Sequence, residues 1–295
     1  MSQFLIVIAC ALLSILPVLI WGSLFLYKHD EKRELVIKTF IFSAFAVVPL
    51  VFYRLLWNVL PGSQLNEYLQ TVISFELFHS QLPLNLLVLF LTIGFVEEYL
   101  KHFVAAKVDR KEIDNIDDAI EFSIIAALGF SFAENTFYFI DIYQNLELQM
   151  FWKVVLFRSF FSTLAHIIFS SIYGYHYGLA LFGKNVANSK EFSFQRSINR
   201  ILAKVIPLSS TKIFINEQRI MGLILAGLFH AAFNVFLELN QVLAIIPILF
   251  LGLYYVLYLI HKKQNHINFN KIQANLDSDG HKKRPEKSGL LWFNF

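Results

Sequence analysis

Seven stretches of about 20 or more mostly apolar residues, at roughly 4–27, 35–60, 82–106, 118–140, 154–182, 219–239 and 242–260, take up most of this chain. About 20 such residues in helical form cross a hydrocarbon core of about 30 Å, and a helix satisfies its own backbone polar groups where no water can. The ten-residue alternation of a membrane barrel is absent. Charged residues make up 16% of the 295 residues and hydrophobic ones 56%, far from the roughly 25% charge of a soluble domain. The expected fold class is therefore all-α, a polytopic integral membrane helical bundle with about seven transmembrane helices. The first stretch has no basic n-region and exceeds the usual apolar length of a secretory signal, so it reads as a retained span. The single cysteine, Cys10, lies inside that stretch, which excludes an intrachain disulfide and a catalytic or zinc site built from thiols.

Lysine and arginine set the direction. The segments 28–38, 101–111, 184–219 and 262–287 hold 22 of the 25, and every alternate connection is nearly free of them. By the positive-inside rule the N-terminus lies outside and the C-terminus in the cytoplasm, as an odd number of spans requires. The net charge of +3 follows from this distribution, so no nucleic-acid partner is implied. Residues 1–261 form one membrane-embedded domain, and 262–295 read as a basic, disordered cytoplasmic tail. The inner connection, 183–218, is polar and basic, suited to anionic lipid headgroups. The outer one, 61–81, holds the half-apolar TVISFELF, suited to the interface.

Ionisable side chains inside such spans cost at least about 2.5–3.5 kcal/mol near the bilayer centre, so they face a partner or a wet cavity and mark function. Four consecutive spans carry them. The third contains Glu97, Glu98, Lys101 and His102; the fourth Glu134 and Asn135; the fifth His166 and Ser170; the sixth His230 and Asn234. Glu97, Glu134, His166 and His230 fall roughly 1.5–7.5 Å from their span centres, counting 1.5 Å per residue, so they share a layer. His166 with Ser170, His230 with Asn234, Glu97 with Lys101 and Glu98 with His102 are i, i+4 pairs on one helical face. His102 and Lys107 sit at a cytoplasmic end and are expected at the interface. Gly129, Gly174 and Gly178 are expected to admit close helix approach.

Peptide hydrolysis needs an activated water, an oxyanion donor and a proton donor for the leaving amine. Glu97 is the first choice for water activation, with Glu98 assisting or orienting it. His166 and His230 bind a metal or stabilise charge, and Asn234 donates to the oxyanion. Lys101, Glu134, Asn135 and Ser170 support them. Glu97, Glu134, His166 and His230 form a credible Zn²⁺ shell with an open position, and a metal-free glutamate mechanism fits equally. The HExxH zinc motif and the GxSxG serine elbow are absent.

At these residues the sequence resembles the PrsW family of intramembrane proteases, related to the CAAX prenyl protease group. The family's EExxK matches Glu97, Glu98 and Lys101; FxxxEN matches Phe130, Glu134 and Asn135; HxxxS matches His166 and Ser170; HxxxN matches His230 and Asn234. The resemblance covers about residues 80–240. It implies a multi-pass peptidase of the cytoplasmic membrane that cuts a membrane-spanning protein, such as an anti-sigma-factor-like regulator. Asp118 matches a family acidic position, and a helix N-cap explains it as well. The alternative from the residues alone is an ion- or proton-coupled transporter using the same polar layer, and a seven-span receptor is weaker because it leaves the clustered carboxylates unexplained.

Overall fold

The computed structural model describes residues 3–28, 33–52, 74–77, 80–108, 112–145, 147–187 and 192–264. Helices α1 (Gln3–Lys28) and α2 (Arg33–Phe45) are followed by a short hairpin, β1 (Ser74–Leu77) paired antiparallel with β2 (Ser80–Pro83). Then come α3 (Leu84–Val108), α4 (Ile116–Asn145) and α5 (Leu148–Phe157), the last running through a π-helical turn (Arg158–Ser162) into α6 (Thr163–Leu181). The short α7 (Gly183–Val186) and α8 (Ser193–Leu202) lead to α9 (Ser210–Glu238) and α10 (Val242–Gln264). Among the described residues, then, this is a helical polytopic membrane protein whose departure from all-helix is the hairpin.

Among the described residues, five helical stretches are long and apolar enough to cross a membrane: Gln3–Ser23, Arg33–Phe52, Leu148–Leu181, Ser210–Glu238 and Val242–Lys262. The other two expected spans form as α3 and α4, of 25 and 30 residues, and these carry Glu97, Glu98, Lys101 and Glu134. Helix α9 begins nine residues before the expected 219, so much of the inner connection is helix. The expectations for residues 53–73 and for the tail from 265 lie outside the described residues.

The bundle is built around α4 and α6. Phe122, Ala126, Ala127 and Phe130 of α4 are fully buried, as are Phe169 and Ile172 of α6, so α6 and the first half of α4 are enclosed on all sides. Helices α1 and α2 pack on α4, while α9 and α10 pack on α6 and α3 packs on α9. On the outer helices Phe4, Leu12, Leu243 and Phe250 are exposed, as side chains solvated by lipid are.

Small residues set the distances. A Cβ on Gly94 would stand 2.9 Å from both the amide N of Ala231 and the carbonyl O of Gly227, so the α3 and α9 backbones touch one turn from Glu98 and His230. The expected close approaches are present too: Gly129 meets the Phe40 backbone of α2, and Gly174 meets Ile120 of α4. Ser43 Oγ donates to the Ala126 carbonyl, tying α2 to α4.

Candidate active site

Glu97 and Glu98, adjacent on α3, differ by about 100° around the helix and meet different neighbours. Glu98 is fully engaged. Its Oε1 accepts from Lys101 Nζ at 2.7 Å and lies 2.9 Å from His230 Nδ1; its Oε2 accepts from Ser170 Oγ at 3.2 Å. Lys101 is paired mainly with Glu98, three residues away, and stands 3.8 Å from Glu97, so the expected Glu97–Lys101 pairing is the lesser one. Lys101 Nζ also reaches His166 Nδ1 at 2.8 Å and sits 4.6 Å from the Phe130 ring centroid. Its side chain is 1% exposed, so its charge is compensated inside the bundle and not in water.

These contacts assign the imidazole hydrogens. An ammonium group only donates, so His166 Nδ1 accepts from Lys101 and Nε2 carries the hydrogen, which it gives to Glu134 Oε2 at 2.9 Å. A carboxylate only accepts, so His230 Nδ1–H donates to Glu98. His230 Nε2 stands 3.3 Å from Glu97 Oε2, and that carboxylate oxygen is buried with no hydrogen-bond partner. The pair lies within ion-pair distance while lacking a hydrogen bond.

Ligand atoms of Glu97, His166 and His230 lie within 4.8 Å of one another, all three residues buried. Ligands about 2.0–2.2 Å from a tetrahedral zinc stand roughly 3.3–3.6 Å apart, so the trio would contract by about 1 Å around an ion. Two imidazoles and a carboxylate with a position left for water are the donor set of a catalytic zinc site, and the buried Glu97 oxygen that lacks a hydrogen bond fits it. Glu134, expected among the ligands, stands outside this trio and bonds His166 instead.

A cavity of about 250 Å³ opens on this cluster, lined by Glu97, Glu134, His166, His230 and Asn234 together with Phe90, Tyr138, Arg158, Leu237 and Glu238. The expected shared layer is therefore one chamber. Asn135 and Ser170 tie helices together: Asn135 Nδ2 donates to Ser131 Oγ at 3.3 Å and Thr163 Oγ1 at 3.4 Å, and Ser170 holds Glu98. His102 packs against the rings of Tyr173 and Tyr177, at 3.9 and 4.6 Å. Asp118 takes part in the turn that starts α4, where its amide donates to Asn115 Oδ1 at 2.8 Å and its Oδ2 accepts from the Asp114 amide at 3.0 Å.

Arg158 is the residue that sequence reasoning missed. Its Nη2 stands 3.0 Å from Glu134 Oε2, its Nε donates to Asn135 Oδ1 at 2.9 Å, and its guanidinium carbon lies 3.7 Å from the Tyr138 ring centroid. The available signal was position: Arg158 lies inside an apolar span, outside the four segments that hold nearly all the positive charge.

A helical membrane bundle enclosing carboxylates, imidazoles and an amide around a small wet chamber defines a class, the membrane-embedded hydrolases and carriers. Comparison with known sequences resolves the class. The family model of the PrsW family intramembrane metalloprotease matches residues 31–261, and the chain belongs to that family. Protease PrsW of Clostridioides difficile (strain 630) is 30% identical over 197 residues, covering 65% of this chain and 74% of the relative. No solved structure matches the chain. The protein is thus a protease of the membrane, and the transporter and receptor alternatives fall away.

Proposed function

We propose that this protein hydrolyses a peptide bond of a membrane-spanning protein in the chamber between Glu97, His166 and His230, and that these three residues hold a divalent ion, zinc by their donor set. The observation that carries this reading is the convergence of Glu97, His166 and His230, whose ligand atoms lie within 4.8 Å of one another inside the bundle, with Glu97 Oε2 and His230 Nε2 3.3 Å apart and no hydrogen bond between them. When bound, such an ion polarises a scissile carbonyl and acidifies a water.

The chain's own side chains do the rest. Glu97 takes a proton from the attacking water and passes it to the leaving amine as the C–N bond breaks. Glu98 orients: with its acceptor positions taken by Lys101, His230 and Ser170, it fixes the ring of His230 and does not react. Asn234, on the chamber wall one turn from His230, donates its amide to the oxyanion. His166 has both nitrogens engaged here, so serving the ion requires its Nε2 to release Glu134.

Beyond the reacting layer the cavity is lined by Phe90, Tyr138, Arg158 and Glu238. These lie toward the start of α3, the end of α4, the π turn between α5 and α6 and the end of α9, which the charge distribution puts outside the cytoplasm. That supports cleavage near the outer end of a substrate span, in the cytoplasmic membrane of a bacterium, with an anti-sigma-factor-like regulator as the narrower substrate class. On the opposite side, α8 supports contact with anionic lipid. Phe194, Ile198, Ile201 and, just past its end, Val205 form an exposed apolar stripe, with Arg196, Arg200 and Lys204 interleaved.

Purified protein in proteoliposomes, given single-span substrates with and without a chelator, tests the proposal. The expected result is a defined fragment that disappears on chelation, returns with zinc, and is absent with Glu97→Gln. Cleavage at the normal rate by Glu97→Gln overturns the assignment, and undiminished cleavage in saturating chelator overturns the metal.

A further inference from the structure

We infer that Arg158 is a positioning residue of the proteolytic site, acting through Glu134; this rests on the reading of the chamber given above. Two contacts converge on a single oxygen, Glu134 Oε2: an ion pair with Arg158 Nη2 at 3.0 Å and a hydrogen bond with His166 Nε2 at 2.9 Å. The guanidinium is itself gripped by one turn of α4, through Asn135 and the face of Tyr138. Such a planar cation with three different partners has one orientation, and it passes that orientation to the carboxylate.

The backbone is shaped to deliver it. In an unbroken α-helix, eight residues separate Arg158 from His166 by about 800°, leaving the two side chains about 80° apart. The π-helical turn Arg158–Ser162 accommodates one extra residue, so the separation behaves as seven α-helical steps and the two face the same way to within about 20°. Thr163 Oγ1 donates to the Arg158 carbonyl at 3.3 Å, satisfying an acceptor beside the bulge. A π turn is less favourable than continued α-helix, and here it coincides with an arginine that reaches the chamber.

The consequence is chemical. Glu134 is a second carboxylate beside Glu97 in an apolar bundle. Held by Arg158, it keeps its place on the chamber wall when His166 Nε2 leaves it for the ion; released, it is free to turn into the chamber, where it would compete for the position that water must occupy. Arg158 therefore keeps the chamber open without touching the reacting atoms.

A double-mutant cycle on the full-length protein in proteoliposomes tests this, using Glu134→Gln, Arg158→Gln, Arg158→Lys and the Glu134→Gln/Arg158→Gln pair, with kcat and KM measured for each. Loss of a supporting partner of this kind lowers activity roughly 10–100-fold. Arg158→Gln should show that loss in kcat with KM within about twofold, Arg158→Lys should recover part of it, and the pair should be no slower than Glu134→Gln alone. Multiplying effects in the pair, a raised KM with unchanged kcat, or normal turnover in Arg158→Gln overturns the inference. Should Arg158→Gln fail to fold, as read from size-exclusion chromatography and thermal unfolding, Arg158→Lys with and without Glu134→Gln completes the cycle under the same criteria. Normal cleavage by Glu97→Gln would instead sink the underlying reading of the site. A dead Glu97→Gln with an additive cycle sinks this inference alone.

Discussion

His230 Nε2 and Glu97 Oε2 face each other across 3.3 Å inside the bundle, while on the other side of the imidazole Nδ1 meets Glu98. Two adjacent glutamates thus divide the labour around one histidine. Glu98 holds the ring from behind, and Glu97 waits in front of it.

That approach depends on the contact of α3 with α9 at Gly94, where any side chain would meet backbone atoms at 2.9 Å. Gly94→Val should force the helices apart, at a cost of about 1–3 kcal/mol typical of overpacking. Cleavage is expected to fall at least about tenfold, since 1.4 kcal/mol is a factor of ten, while the protein still inserts in the membrane. A cleavage assay beside protease protection of membrane vesicles checks both halves, and full activity would show that the contact can yield.

Lys101 is the buried cation that balances Glu98. Lys101→Met leaves that carboxylate unpaired, and breaking a buried ion pair from one side costs about 3–5 kcal/mol. Thermal unfolding in detergent should shift well below wild type, and Glu98→Gln added to Lys101→Met should recover part of the shift. An unchanged melting curve for Lys101→Met alone contradicts the arrangement.

Asn234 lines the chamber beside His230. As an oxyanion donor its loss acts on the transition state, so Asn234→Ala should lower kcat by roughly 100–1000-fold with KM nearly unchanged. Steady-state kinetics decide this, and a variant altered in KM alone would make Asn234 a substrate-binding group.

Helix α8 is anchored to α9 by Asn199, whose Nδ2 donates to Glu217 at 3.1 Å, and by the Phe192–Phe214 ring contact. Its other face should lie in the headgroup region of an anionic bilayer. Cysteines placed at Phe194, Ile201 and Val205 in a Cys10→Ser background, carrying an environment-sensitive fluorophore, should be quenched by nitroxide lipids. Labels at Arg196 and Arg200 should instead be quenched by aqueous iodide. Uniform iodide quenching at all five positions speaks against membrane seating.

Seven apolar stretches, alternating positive charge and four spaced polar pairs were legible because helix length, bilayer thickness and the period of 3.6 residues act locally along the chain. From them followed the helical membrane fold, the common layer of Glu97, Glu134, His166 and His230, and the peptidase reading. What the tertiary structure decided was the pairing within that layer. Periodicity allowed Lys101 to meet either glutamate, but packing at Gly94 and the rotamers of the bundle joined it to Glu98 and His166. His102 meets the rings of Tyr173 and Tyr177 of α6, a contact that no spacing on α3 could reveal. Arg158 stayed hidden because its relation to His166 runs through a π turn: one extra residue in a helix leaves the apolar pattern intact while rotating everything before it by about 100°, and only the folded backbone records that rotation.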